Sequence, residues 1–224
     1  MPGWRLWNAL ELATHHRMKT PSWRKGLLGK GGFWQNGYWY DLHVERRIPL
    51  ILPMLEEILA ALPPLGPGVT VCDVGCGTGN AGFAVMSAYP GIRLTVLDQD
   101  EDLLALAQAK VSEISEGPLA IQATINADGE AIPGGPYDVV VASLALQEIV
   151  GIDVEGAEAE SRYELLFQGI FDALNPGGHL IVADGAGTIG LYRQMKAMER
   201  AGFMDVDCAW RQNELFVCGG RTPE

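Results

Sequence analysis

From residue 69 onward, short apolar runs alternate with segments whose apolar residues recur every three to four positions. VTVCDV (69–74) is nearly continuous in apolar character, as a strand buried on both faces requires. Helical spacing follows over 80–89, then a strand RLTVLD (93–98) and a helix over 101–114. LAIQATIN (119–126) and YDVVVAS (137–143) predict two further strands. An amphipathic helix is predicted over 158–174, a strand HLIVAD over 179–184 and a helix over 191–200. MDVDCAW (204–210) and ELFVCGG (214–220) read as two last strands joined by three residues. Upstream, Ile48, Ile51, Leu52, Leu55, Ile58 and Leu59 recur at helical spacing and predict one helix over 43–62. Pro63, Pro64 and the run Gly66-Pro67-Gly68 end it.

Strands alternating with helices imply a parallel sheet covered on both faces, and right-handed crossovers make it doubly wound. A connection as short as Arg211-Gln212-Asn213 permits only an antiparallel pair. The expected fold is therefore α/β: a Rossmann-like seven-stranded sheet, mostly parallel, with an antiparallel C-terminal hairpin. Residues 1–44 differ from the rest and are expected to form an arm or lid on a domain spanning 45–224. They carry Trp4, Trp7, Trp23, Trp34 and Trp39 with Phe33, Tyr38 and Tyr40. A helix is predicted from Trp4 to Met18, after which Pro21 and Gly26, Gly29, Gly31, Gly32 and Gly37 disfavour regular structure.

Composition narrows the classes. The chain has 224 residues, 48% apolar and 20% charged, enough for one domain with a real core. No apolar run is long enough for a membrane helix. The first apolar stretch is interrupted by Asn8, Glu11, His15 and His16, unlike a secretory signal, so a cytoplasmic location is expected. The formal net charge is −12, which repels a nucleic-acid polyanion. One local exception runs from Arg17 to Lys30, where Lys19, Arg24 and Lys25 add to the basic charge and no acid interrupts. It reads as a solvated arm or as a contact for an anionic substrate or a partner. Cys72, Cys76, Cys208 and Cys218 form no CxxC pair, so no metal site is expected.

Three acids stand at or just beyond strand ends, where ligands bind in open α/β sheets: Asp73, Asp98 and Asp128. Asp73-Val74-Gly75-Cys76-Gly77-Thr78-Gly79-Asn80 is a glycine loop leading into a helix, able to bring backbone N–H groups close to a ligand. Gly77, Gly79 and Gly82 also satisfy GxGxxG, and Asp98 stands near where a dinucleotide fold places its ribose acid. The glycines alone leave NAD and S-adenosylmethionine both open.

The longer order of motifs is more specific. DVGCGTGN, VLDQD, NADGEAIP, YDVVVASLALQEI and LNPGGHLIVAD, over roughly residues 69–184, resemble the successive motifs of class I S-adenosylmethionine-dependent methyltransferases. The resemblance implies transfer of a methyl group from S-adenosylmethionine, leaving S-adenosylhomocysteine. It assigns Asp73 to the ammonium end of the cofactor, and Gly75, Cys76 and Gly77 to its methionine portion. Asp98 would take the ribose hydroxyls and Gln99 would lie against adenine. Asp128 and Gly129 would meet the adenine edge, with Ser143 and Leu144 beneath the sulfonium. NGYWYD (36–41) is similar to a GYWD segment that precedes the core in some sterol, tocopherol and sugar methyltransferases. It makes Tyr38 and Trp39 candidate cofactor covers.

Many small-molecule relatives carry a histidine pair after the fourth strand, where this chain has Gln147 and Glu148. Glu148 is therefore a candidate base or substrate-orienting group, with His43 and Tyr38 as further candidates; His179 reads as structural. The acceptor expected is a small, partly apolar metabolite. A protein or RNA acceptor, a non-catalytic cofactor-binding role and, last, an NAD-dependent oxidoreductase are the alternatives. A homodimer through the aromatic arm is a further expectation.

Overall fold

The computed structural model describes residues 37–187 and 189–224. The expected helix from Trp4 to Met18 and the basic run from Arg17 to Lys30 lie outside the described residues.

Two helices, α1 (Gly37–Arg47) and α2 (Ile51–Ala61), come first. The sequence predicts one helix over 43–62, but the chain turns at Ile48-Pro49-Leu50 because proline disfavours helical backbone in the residue before it. Pro53 is tolerated in the first turn of α2, where its missing N–H would have had no intrahelical partner. The boundary expected between arm and domain, at residue 44, falls inside α1.

The sheet then builds from β1 (Thr70–Val74), β2 (Arg93–Asp98), β3 (Leu119–Gln122), β4 (Tyr137–Ser143), β5 (Leu174–Gly185), β6 (Met204–Gln212) and β7 (Leu215–Arg221). The intervening helices are α3 (Asn80–Ala88), α4 (Glu101–Val111), α5 (Leu146–Val150), α6 (Gly156–Asp172) and α7 (Gly190–Arg200). The strand order is β3-β2-β1-β4-β5-β7-β6. β7 inserts between β5 and β6 and is antiparallel to both, while the other pairs are parallel.

Period-two alternation along the strands sends side chains to two cores. Cys72, Val74, Leu97, Val140, Ala142, Leu180 and Val182 face α5, α6 and α7. Val71, Leu94, Val96, Val139, Val141, Ile181 and Ala183 face α2, α3 and α4. The continuous apolar runs in the sequence thus follow from burial on both sides.

β3 ends earlier than its apolar pattern suggests. It is an edge strand whose only neighbour, β2, stops at Asp98. The Ala123 N–H donates to the Asp98 carbonyl at 3.0 Å, and residues 123–126 then leave the ladder. β5 begins earlier than expected, because the turn at Pro176-Gly177-Gly178 is carried within the strand. The short α5 adds a helix the pattern does not predict. No helix among the described residues is long and apolar enough to cross a membrane.

Candidate functional site

β1 lies between β2 and β4, so the connections after β1 and after β4 leave the sheet in opposite senses. A crevice opens at that point, beyond the carboxyl ends of the strands. It holds a cavity of about 530 Å³. The glycine loop forms one wall, residues 98–100 and 123–126 a second, and Ser143, Leu144, Ala145, Glu148 and Ile149 a third. Tyr40 and Ile51 close it from the N-terminal helices.

The loop is shaped by backbone that side chains resist. Gly79 has φ +79°, and a Cβ there would stand 2.8 Å from the Ala107 backbone. Gly75 packs on Ala145 so tightly that a Cβ would come within 2.6 Å of the alanine methyl, bringing the loop against the end of β4. Gly77, at φ +51°, would place a Cβ in open space, so this stretch of bare backbone is accessible.

Asp98, at the end of β2, organises the loop. Its Oδ2 accepts the Gly77 N–H at 2.8 Å and its Oδ1 accepts the Asp100 N–H at 2.9 Å. A carboxylate has about four lone-pair sites, so both oxygens can take a further donor from the cavity. Asp100 is itself occupied, capping α4 through the Leu103 N–H at 3.0 Å. Asp73 lies deeper, behind the loop and off the cavity lining, with 1% of its surface exposed. Its Oδ2 accepts the Gly82 N–H at 2.8 Å in the first turn of α3. Its Oδ1 is buried without a hydrogen-bond partner. Burial raises its pKa to about 7, and the charge of Asp98 adds to the rise; the Gly82 bond and Lys110 oppose it.

α1 is clamped onto this loop. Asp41 Oδ1 accepts the Thr78 hydroxyl at 2.7 Å and the Asn80 side-chain amide at 3.3 Å. Its Oδ2 pairs with Lys110 Nζ at 2.8 Å, and Lys110 also donates to Asn80 Oδ1 at 2.8 Å. Gly37 seats the helix start against Leu103, Leu106 and Thr78, where an added Cβ would press on the ends of their side chains. The adjoining Tyr40 is thereby held at the cavity. Burial, and then the charges of Asp41 and Glu148, push its hydroxyl up to about 12, so it is neutral at ordinary pH.

On the far wall, Asp184 at the end of β5 holds the start of α5. It accepts the Leu146 N–H at 3.0 Å, the Gln147 side-chain amide at 3.2 Å and the Gly185 N–H at 2.7 Å. Burial raises its pKa to about 6 against these bonds. Gln147 is turned toward Gly185 and Gly187, leaving Glu148 at the cavity.

A family model described as a methyltransferase domain matches residues 72–180, a span that contains the loop, Asp98 and the β4 wall. This match and the relatives below support a methyltransferase domain of class I over that span. Trans-aconitate 2-methyltransferase of Delftia acidovorans is 29% identical over 126 residues, 56% of this chain and 41% of that protein. Ribosomal RNA small subunit methyltransferase H of Leifsonia xyli is 26% identical over 118 residues, 49% of this chain and 36% of that protein. These matches span less than half the length of those relatives. In fold, human N-acetylserotonin methyltransferase, solved in complex with S-adenosylmethionine, is similar with a TM-score of 0.60 at 15% identity, covering 100% of this chain and 67% of that one.

The structure gathers Gly75, Cys76, Gly77, Asp98, Gln99, Ser143, Leu144 and Glu148 around one cavity. Asp73 supports that cavity from beneath. Asp128 and Gly129 lie just beyond the 123–126 wall, where Asp128 Oδ1 accepts the Glu130 N–H at 3.0 Å. Trp39 and His43 stack at 5.5 Å and border a separate surface hollow with Arg46 and Arg47. Tyr38 meets Trp39 edge-on at 5.9 Å and does not line the cavity. His179 sits within β5, half-buried and paired in register with Val139 and Arg221. Its pKa is lowered by burial and by Arg221. Tyr40, Asp41, Lys110 and Asp184 were not singled out by the sequence reading. For Asp41 and Tyr40 the available signal was the GYWYD segment itself; Lys110 and Asp184 carry no local signature.

Proposed function

We propose that the chain transfers a methyl group from S-adenosylmethionine to a small, partly apolar metabolite, with S-adenosylhomocysteine as the second product. One observation carries this reading. The cavity combines open glycine backbone with Asp98, and among the described residues its charged lining is acidic throughout: Asp98, Asp100 and Glu148. A dinucleotide would bring a pyrophosphate against those carboxylates. S-adenosylmethionine brings a nucleoside with a net positive charge and suits them. The remaining lone pairs of Asp98 fit a vicinal pair of ribose hydroxyls.

The other assignments follow the same chemistry. Gly75, Cys76 and Gly77 would pass the methionine portion along the backbone, and Gln99 with the 123–126 wall would flank adenine. Asp128 and Gly129 would reach its edge from the continuation of that wall. Ser143 and Leu144 would lie beneath the sulfonium. Tyr38 and Trp39, expected from the sequence as covers, lie off the cavity lining, Trp39 bordering the separate hollow. When bound, S-adenosylmethionine supplies a methyl carbon already activated by its sulfonium. The chain then has to align the acceptor and keep water out, which the apolar Ile51, Leu97, Leu103 and Ile149 of the lining favour. An RNA acceptor is disfavoured by the formal charge of −12 and by the acidic cavity.

Calorimetric titration with S-adenosylmethionine, S-adenosylhomocysteine and NADH tests the reading. Both adenosyl ligands are expected to bind and NADH is not. Asp98→Ala removes two charge-assisted hydrogen bonds, each about 1.5–3 kcal/mol, and should weaken binding by about a hundredfold or more. Failure of the native chain to bind either adenosyl ligand would sink the proposal.

A further inference from the structure

We propose that the acceptor is an amine, entering as an ammonium ion and held between the Glu148 carboxylate and the Tyr40 hydroxyl oxygen, and that carboxylate acceptors are rejected. This deepens the proposed function and rests on it.

The charges around the cavity point one way. Among the described residues no lysine, arginine or histidine lines it. Lys110 is occupied by Asp41 and Asn80 and stands outside the lining. Of the three lining acids, Asp98 binds the loop backbone and Asp100 caps α4. Glu148 is the one left on the wall formed by β4 and α5, the wall away from the ribose side, and it is exposed there. Asp184 fixes that wall through Leu146 and Gln147, so Glu148 projects from a held segment.

Tyr40 lines the same cavity for a separate reason. The Asp41 clamp sets α1 against the loop, which brings Tyr40 to the cavity that Glu148 also lines; burial first, then the charges of Asp41 and Glu148, raise its hydroxyl. A neutral phenol oxygen and a carboxylate both accept N–H donors. A polycarboxylate placed there would add like charge to like charge, with no cation among the described lining residues to offset it.

The step balances without a further reagent. The bound ammonium gives one proton to water at the exposed Glu148 side. The freed nitrogen lone pair forms a bond to the methyl carbon, and the carbon–sulfur bond breaks with its electron pair left on sulfur. The positive charge passes from sulfur to nitrogen, and the product leaves as an N-methylated ammonium ion.

The test uses the full chain, methyl-tritiated S-adenosylmethionine and a deproteinised metabolite extract. Labelled products other than the cofactor are separated by electrophoresis at neutral pH, with trans-aconitate added alone as an anionic control acceptor. A product running to the cathode is expected, and none from trans-aconitate. Glu148→Gln should raise the apparent KM for that product's amine precursor at least tenfold. Its affinity for S-adenosylhomocysteine should stay within twofold of the native value, and Tyr40→Phe should act in the same direction more weakly. A labelled product that runs to the anode or stays at the origin overturns the inference. So does no product from a chain that binds the cofactor, or a Glu148→Gln variant with unchanged KM. A chain that binds no cofactor overturns the underlying methyltransferase reading instead.

Discussion

Asp73→Asn is expected to stabilise the fold at about pH 8 and to leave it nearly unchanged at about pH 4. The carboxyl is 1% exposed, one oxygen takes the Gly82 N–H, and the other has no hydrogen-bond partner. Burial therefore lifts its pKa from 3.8 to about 7. Between those two values the folded chain holds a proton that the unfolded chain has released. The group's contribution is fully present below about pH 4 and is lost as pH rises toward 7. At about 1.4 kcal/mol per pH unit, the loss comes to about 4 kcal/mol. Asparagine is close to isosteric with the protonated acid. Its carbonyl can accept the Gly82 N–H, and its amide takes the place of the unpaired oxygen, a cost like that of the protonated acid's own unpaired O–H. The two proteins should thus match within about 1 kcal/mol at low pH, and the variant should lead by about 3–4 kcal/mol at pH 8. Urea unfolding of both proteins at the two pH values measures this. Asp184, raised to about 6, titrates in both proteins and drops out of the difference. A stability difference that stays the same at both pH values, or a variant weaker at pH 8, would refute the reasoning.

Other consequences are equally direct. Asp41→Ala and Lys110→Met should each loosen α1, and a double-mutant cycle should give a coupling of about 1–3 kcal/mol, read as stability and as faster tryptic cleavage at Arg46 and Arg47. Additive effects would show that the pair does not hold the helix. Gly79→Ala combines a positive φ with a methyl group 2.8 Å from the Ala107 backbone, and should cost about 2–4 kcal/mol in chemical unfolding. Gly77→Ala, by contrast, meets open space and should cost only the backbone strain of about 1–2 kcal/mol, while weakening S-adenosylhomocysteine in a binding titration by intruding on the accessible face of the loop.

How much was legible in the chain depends on the range of the interaction. Strand alternation and helical spacing are local, and each strand that faces two helical layers announced itself as an apolar run. The positions of Asp98 and the glycine loop were also readable, because a strand end followed by glycines and a helix is a local arrangement. The single helix expected over 43–62 gave way at Pro49, a local signal that helical spacing on both sides obscured. β3 was overextended because its apolar residues continue past Asp98, while its hydrogen-bond partner does not.

The sequence by itself therefore determined the α/β class, the faces of the strands, the glycine turn and the acids at the strand ends. Only the tertiary structure decided that Asp41, 37 residues before Thr78, closes onto the glycine loop. Only it turned Gln147 toward Asp184, 37 residues further along the chain, and set Glu148 and Tyr40 on the same cavity. Those choices depend on which buried polar groups find partners across the sheet. Local periodicity carries no record of such pairings, because each partner satisfies its own helix or strand equally well without the other.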